Sequence, residues 1–249
     1  MPETSPVLSR VLKADCCAGC GLCAAVSGGA IDMRLTPAGF LRPCQTRPVE
    51  AETDRLIGET CPGIRLTQEA CEGDDHPLWG PLLALRTGAS TDPALRHHAS
   101  SGGALSALLV FLLESKVVDH VVQVAAAETA PIENGLVESR CRADIYRAAG
   151  SRYAPSAPLA DLERQLSGPE RFAFVGKPCD VAATAKPMGS SIPCLWTKAT
   201  PWGTTTGRRS LAFGNVVRIC SCLSRAAAML ANIARRWLLV RFSLRPLMP

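Results

Sequence analysis

Aromatic residues are scarce, 5% of 249, and no apolar run is long enough to cross a bilayer. The longest, Ala104 to Leu113, is interrupted by Ser106 and closed by Glu114, far short of the ~18 residues a span requires. No transmembrane segment is therefore expected. Residues 1–15 show no basic stretch followed by an apolar one, so no secretory leader is read, and a cytoplasmic setting that keeps thiols reduced is expected. GxSxG, HExxH, a Walker lysine loop and GxGxxG are all missing, which removes the commonest hydrolase, metalloprotease, nucleoside-triphosphatase and dinucleotide-fold readings. His76, His97, His98 and His120 form no catalytic set and read as structural or solvent-facing.

Carboxylates are missing from one end. Up to Asp180 the chain carries a net −5, whereas Val181 to Pro249 holds 10 Lys+Arg and no Asp or Glu, together with Trp196, Trp202 and Trp237. This basic tail contains no recognisable nucleic-acid motif, so no nucleic-acid partner is expected. Ser224 to Leu244 has the spacing of a basic amphipathic helix suited to an anionic surface, and equally the accidental composition that a shifted reading frame produces. The rest is ordinary for a globular chain, 47% apolar and 20% charged, long enough to bury on the order of 70% of its unfolded surface.

Cysteine is what the sequence has in excess: twelve residues. Without a secretory context, metal explains them better than disulfides. Cys17, Cys20 and Cys23 form CxxCxxC with Gly19 and Gly21 between them, and Cys61 follows ahead of Pro62. Three thiolates on one tight loop and a distant fourth before proline suit a 4Fe-4S cluster, with glycines permitting the turns that direct N–H groups at sulfur. Zinc on four cysteines is the rival, although its ligands usually come as two separated CxxC pairs. Cys16 breaks the two-residue gap and reads as a spectator; Cys44 and Cys71 read as small buried apolar residues.

The middle of the chain has an α/β pattern. Leu82 to Ala89 predicts a strand, and Ser100-Ser101-Gly102-Gly103 then opens a helix with Leu105, Leu108, Leu109 and Leu112 on helical spacing. Such a helix start offers N–H groups to an anion, and is equally an ordinary N-cap. Val117 to Val124 predicts a strand, Pro158 to Leu166 a helix, and Arg171 to Val175 a strand that runs into Gly176-Lys177-Pro178-Cys179-Asp180. That turn falls at the carboxyl edge where α/β folds place ligands; Cys179 either faces one or is a buried structural thiol.

In order, Cys17 to Cys23, Cys61-Pro62-Gly63, Trp79-Gly80-Pro81, Asp92-Pro93 with Arg96, Ser100 to Gly103, Gly150-Ser151-Arg152-Tyr153 and Val175 to Asp180 make a specific set. Over roughly residues 15 to 183 the chain resembles the coenzyme F-420 hydrogenase/dehydrogenase beta subunit family, which includes chlorophyll-pathway reductases. The resemblance implies an iron-sulfur flavoprotein oxidoreductase. Residues 1–75 would form a small ferredoxin-like segment, residues 76–183 the first part of a mixed α/β FAD-binding domain, and residues 184–249 an atypical basic tail of the kind a shifted reading frame leaves. It implies Cys17, Cys20, Cys23 and Cys61 as ligands of a 4Fe-4S cluster. Ser101, Gly102 and Gly103 would hold FAD phosphate, Arg96, Ser151 and Tyr153 would lie near the flavin, and Gly176, Lys177, Pro178 and Cys179 would form a loop beside its ring. The implied partners are a small-molecule hydride donor or acceptor, deazaflavin-like, and a ferredoxin or partner redox subunit. Beyond Ala183 the family pattern is not recognisable, which puts the later part of the flavin domain in doubt.

Overall fold

The computed structural model describes residues 4–65, 74–76, 80–82, 87–128, 130, 132–185, 216–220 and 240–243. Cys71, Trp79, residues 83–86 of the expected strand, and most of the basic tail, its tryptophans included, lie outside the described residues.

The first helix, α1 (Pro6–Lys13), starts where Ser5 accepts a hydrogen bond from the Leu8 N–H at 3.1 Å and proline occupies the first turn, where its missing N–H costs nothing. The Ser5 hydroxyl also donates to Asp54 of α3 (Ala51–Thr60), which joins the two helices. Between them lie one short helical turn, α2 (Leu22–Ala25), and an antiparallel hairpin of β1 (Ile31–Leu35) and β2 (Leu41–Gln45). The hairpin turns at Gly39, whose φ of +82° is the left-handed region glycine favours. Leu8, Ile31 and Ile57 bury together beneath these elements.

Short strands follow: β3 (Asp74–His76) pairs with β4 (Gly80–Leu82), and β5 (Thr87–Ser90) leads to α4 (Pro93–His98). Of the expected strand from Leu82 to Ala89, Leu82 lies in β4 and Thr87 to Ala89 in β5. A tight turn at Ser101–Gly103 then enters α5 (Ala104–Glu114), whose Ala107, Leu108, Leu109, Val110, Leu112 and Leu113 are all buried. A helix apolar nearly all round must be covered on most sides. On it pack β6 (His120–Ala126), α6 (Arg142–Arg147) and β8 (Phe172–Gly176), while the outer strand β7 (Asn134–Ser139) precedes α6, α7 (Leu162–Ser167) precedes β8, and α8 (Pro178–Ala185) follows it.

β6 pairs antiparallel with β7 and parallel with β8, so a crossover joins the last two. The fold is α/β, as expected. The tail contributes as well: β9 (Val216–Cys220) lies parallel to β8, and β10 (Val240–Ser243) pairs antiparallel with β5. The sheet order is therefore β7-β6-β8-β9, and the β8 edge is paired rather than bare. Val216, Val217 and Ile219 are β-branched, which suits a pleated strand. Val240–Ser243, the end of the amphipathic run, is strand instead of helix for the same reason: strand pairing outweighs a weak helical pattern. No helix among the described residues is long and apolar enough to cross a membrane.

His120 is 3% exposed at the start of β6, stacked on Phe172 with ring centroids 5.5 Å apart and bonded to the Gln165 amide oxygen at 3.0 Å. Around it, carboxylates are tied to the sheet's amino edge. Hydrogen bonds from the Arg171 guanidinium hold Asp119 below its ordinary carboxyl range, the Gln165 amide does the same for Glu138, and Arg140 for Glu170.

Two outcomes follow from this packing. Because these folded carboxyl values are depressed, their stabilisation is complete above the unfolded range of roughly 3.9–4.3 and is lost as pH falls through the folded values. Urea midpoints measured against pH should hold above about pH 5 and decline below about pH 4. Leu109→Ala, in the covered helix, should lower stability by about 2–5 kcal/mol in the same assay.

Candidate functional site

The loop from Cys16 to Gly21 carries its cysteines on two left-handed glycines. A Cβ on Gly19 (φ +66°) would meet the Leu41 carbonyl at 3.0 Å, and one on Gly21 (φ +86°) would meet the Ala160 nitrogen at 2.8 Å. The loop is thus pressed between the hairpin and the 157–160 segment, where the Leu159 N–H donates to the Cys20 carbonyl at 2.9 Å. Cys23 follows in α2, and Cys61 ends α3 in extended conformation, its N–H on the Ile57 carbonyl at 2.8 Å. Cys17, Cys20, Cys23 and Cys61 line one cavity, closed by apolar side chains that include Leu8, Val11, Met33, Pro43 and Ile57. Cys16 is exposed and turns its thiol to the Ala14 carbonyl at 3.2 Å, while Cys44 sits on β2 away from the cavity lining.

Two of the thiols, Cys20 and Cys23, are electrostatically strained. Burial pushes Cys20 up to about 12, with further upward pressure from Asp180, Cys61 and Cys17, while the Leu22 N–H aimed at its sulfur pulls down. Burial likewise pushes Cys23 up to about 12, reinforced by Cys20, Cys17 and Cys61 and opposed by the Ala24 N–H. An apolar pocket that crowds four thiols and points backbone N–H groups at them favours thiolates only when positive charge lies among them. Among the described residues no three His, Cys, Asp or Glu side chains stand close enough to hold a single ion. A cubic cluster asks for something wider, since each thiolate binds a different iron. Four cysteines on one cavity are a donor set of suitable chemistry for such a cluster.

Between β5 and α5, Ser101 (φ +52°), Gly102 (φ +65°) and Gly103 (φ +69°) are left-handed in succession. Glycine is needed there for packing: a Cβ on Gly102 would lie 3.1 Å from that of Ala89, and one on Gly103 3.0 Å from the Leu95 carbonyl. Ser101 has no such exemption, and a serine held left-handed stores backbone strain of the kind found at binding loops. The Ser100 hydroxyl accepts from the Ser151 N–H at 2.8 Å, bringing the turn beside the 150–153 loop. There Tyr153 is 97% exposed, and Arg152 bonds the Asn134 side chain at 3.0 Å. Arg96 spends two guanidinium nitrogens on the Ser90 carbonyl, at 2.9 and 2.7 Å, which orients it on the same rim.

Residues 86–163, which include this turn and the 150–153 loop, match the family model of the coenzyme F420 hydrogenase/dehydrogenase beta subunit, N-terminal part. The match is confined to those residues, less than half of the chain. An F(420)H(2) dehydrogenase subunit of Methanosarcina mazei is 24% identical over 184 residues, 72% of this chain and 50% of that protein. The chain thus spans about half the length of the curated relative it matches. The solved F420-reducing [NiFe] hydrogenase complex of Methanosarcina barkeri aligns with 45% of this chain and 38% of its own, at 25% identity and a TM-score of 0.41.

The remaining sequence-selected residues, Gly176 to Cys179, sit apart from the Ser100–Ser151 contact in their bonding. They do not form an open loop: β8 ends at Gly176 and α8 begins at once with Pro178. Lys177 turns its N–H and its ammonium onto Asp180, at 3.0 and 2.9 Å, and Phe174 and Ala183 share a core with Cys20. This end of the sheet therefore faces the cysteine ring. Two organising residues stand in the sequence analysis only as members of motifs. Ser100 bridges to Ser151, and Asp92 both caps α4 and accepts from the Tyr146 hydroxyl. Asp before Pro signalled the cap; nothing local signalled the distant tyrosine.

The Gly21 contact yields a sharp comparison. Gly21→Ala carries a left-handed strain of ~1–2 kcal/mol and a collision with Ala160, whereas Gly28→Ala, also left-handed but with nothing within 4 Å, carries strain alone. Urea unfolding should show Gly21→Ala the more destabilised of the two, with iron uptake impaired only in that variant.

Proposed function

We propose that the protein is an electron-transferring oxidoreductase subunit of the F420 hydrogenase/dehydrogenase type, with a 4Fe-4S cluster on Cys17, Cys20, Cys23 and Cys61 and FAD on the rim formed by Arg96, Ser101, Gly102, Gly103, Ser151 and Tyr153. The observation that carries this reading is the lining of one apolar cavity by those four thiols and no other cysteine. Residues 1–75 then serve as the cluster segment and residues 76–183 as the nucleotide-binding part, while Gly176 to Cys179 lies between them. When bound, FAD takes a hydride as two electrons and releases them singly, and the cluster carries one at a time.

The chain's own residues supply position and environment. Leu8, Val11 and Ile57 exclude water from the thiols, and the Leu22 and Ala24 N–H groups stabilise negative charge on Cys20 and Cys23. Such donors raise the potential of a thiolate-bound centre. On the rim, Arg96 provides a cation for a pyrophosphate, and the strained Ser101 presents its hydroxyl beside the start of α5, where backbone N–H groups favour an anion. The exposed Tyr153 ring offers a face on which a planar heterocycle stacks. A deazaflavin-like hydride donor and a ferredoxin or redox subunit are the expected partners, in the cytoplasm.

Anaerobically purified protein should show ~4 irons, ~4 acid-labile sulfides and ~1 FAD per chain, with a broad visible band. Cys23→Ser should abolish most of the iron and the band. Iron without flavin would reduce the protein to a one-electron carrier, and a colourless zinc protein would overturn the iron-sulfur assignment.

A further inference from the structure

His120 opens β6 with its ring buried, and its two nitrogens meet different neighbours. Nε2 lies 3.0 Å from the Gln165 amide oxygen of α7. The other end of that amide fixes its orientation: the nitrogen donates to Glu138 on β7 at 2.6 Å, and an ionised carboxylate only accepts. The amide oxygen is therefore turned to the ring, and Nε2 carries the proton. Nδ1 is buried, makes no hydrogen bond among the described residues, and stands 3.4 Å from the Glu170 carboxylate ahead of β8. On a neutral ring it would aim a lone pair at that carboxylate, two acceptors face to face away from water. A proton on Nδ1 turns the repulsion into an ion pair.

The charges around the ring come from the approach to β6 (Asp119), the end of β7 (Glu138 and Arg140), α7 (Arg164) and the approach to β8 (Glu170 and Arg171). Each carboxylate has a guanidinium: Asp119 has Arg171 at 3.2 Å, Glu138 has Arg164 at 3.2 Å and Glu170 has Arg140 at 2.7 Å. Guanidiniums keep their charge, and these carboxyls are held below their ordinary range by hydrogen bonds from Arg171, Gln165 and Arg140. Around neutral pH the imidazole is thus the one group of this set whose charge changes.

Gln165 carries the consequence to the cysteine loop. It belongs to the helix whose Leu162, with Leu159 just ahead of it, shares a core with Cys20. The segment leading into that helix holds the loop through the Leu159 N–H on the Cys20 carbonyl at 2.9 Å and through Ala160 against Gly21. We propose that His120 is a pH-sensitive clasp: as an imidazolium it ties α7 through Gln165 and the approach to β8 through Glu170, and its deprotonation releases this corner and loosens the seam on the cysteine loop. A cation paired only in the folded state stabilises fully below the unfolded histidine value of ~6.5, and the contribution is lost as pH rises through the value of the paired ring. The opening is local, confined to the sheet's amino edge, and it needs no bound metal, flavin or partner, so it stands independently of the cofactor assignment.

Two measurements on the full chain test this. Two-bond proton–nitrogen NMR spectra should show the His120 ring doubly protonated at pH 6 and neutral, with its proton on Nε2, at pH 9; His120→Gln assigns the signal by its loss. Amide exchange followed by mass spectrometry and corrected for the intrinsic effect of pH should show residues 157–167 and 17–25 exchanging about tenfold faster at pH 8.5 than at pH 6, the scale of one hydrogen bond to a charged group, while α5 keeps its protection. Glu170→Gln, at a partly exposed position, offers Nδ1 an amide donor in place of the carboxylate and should abolish the pH step, and it remains informative if His120→Gln unfolds the protein. A ring already neutral at pH 6, a ring still charged at pH 9, or a pH step of equal size in Glu170→Gln would overturn the proposal.

Discussion

The contact on which the arrangement turns is the press of the cysteine loop against the 157–160 segment. Gly21 fits beneath Ala160 only because it has no side chain, and the Leu159 N–H fixes the Cys20 carbonyl at 2.9 Å. Through this seam Cys20, Leu22 and Ala25 join Val122, Phe172 and Phe174 in one core. The cysteine ring is therefore built into the flank of the α/β sheet instead of hanging from it by a linker. Burying apolar area on both sides of the seam stabilises the loop in the only conformation that gathers its thiols.

That placement has an electrostatic consequence. Cys20 and Cys23, taken out of water, resist ionisation, and the neighbouring cysteines add to it. The Leu22 N–H opposes this at Cys20 and the Ala24 N–H, which donates to the Gly21 carbonyl at 3.0 Å, at Cys23. The Ser101–Gly103 turn follows a different logic. Its glycines answer to packing against Ala89 and Leu95, while the strain rests on Ser101, the one member of the turn with a side chain to offer.

Much of this was legible in the chain. The CxxCxxC spacing with intervening glycines, the Asp-Pro cap of α4 and the leucines of α5 are local signals with local causes. Less legible were the ends of elements: helix α7 begins at Leu162 rather than Pro158, because residues 158–161 are used as a turn that holds the cysteine loop. Least legible was the basic tail: its lack of carboxylates carries no pairing signal, and Val216–Cys220 and Val240–Ser243 pair with β8 and β5 because strand pairing reads β-branched residues and open edges and is indifferent to net charge.

By itself the sequence supplied the candidate donors: four cysteines in CxxCxxC and Cys-Pro, a Ser-Gly-Gly helix entry, and a strand that ends in Gly-Lys-Pro-Cys-Asp. Only the tertiary structure decided which of them meet. It set Cys61 beside a loop far earlier in the chain, joined Ser100 to Ser151, and placed Phe174 of β8 in one core with Cys20. The reason is that spacing fixes what a short segment can bind, whereas the environment that tunes a charge is assembled from residues distant in the chain.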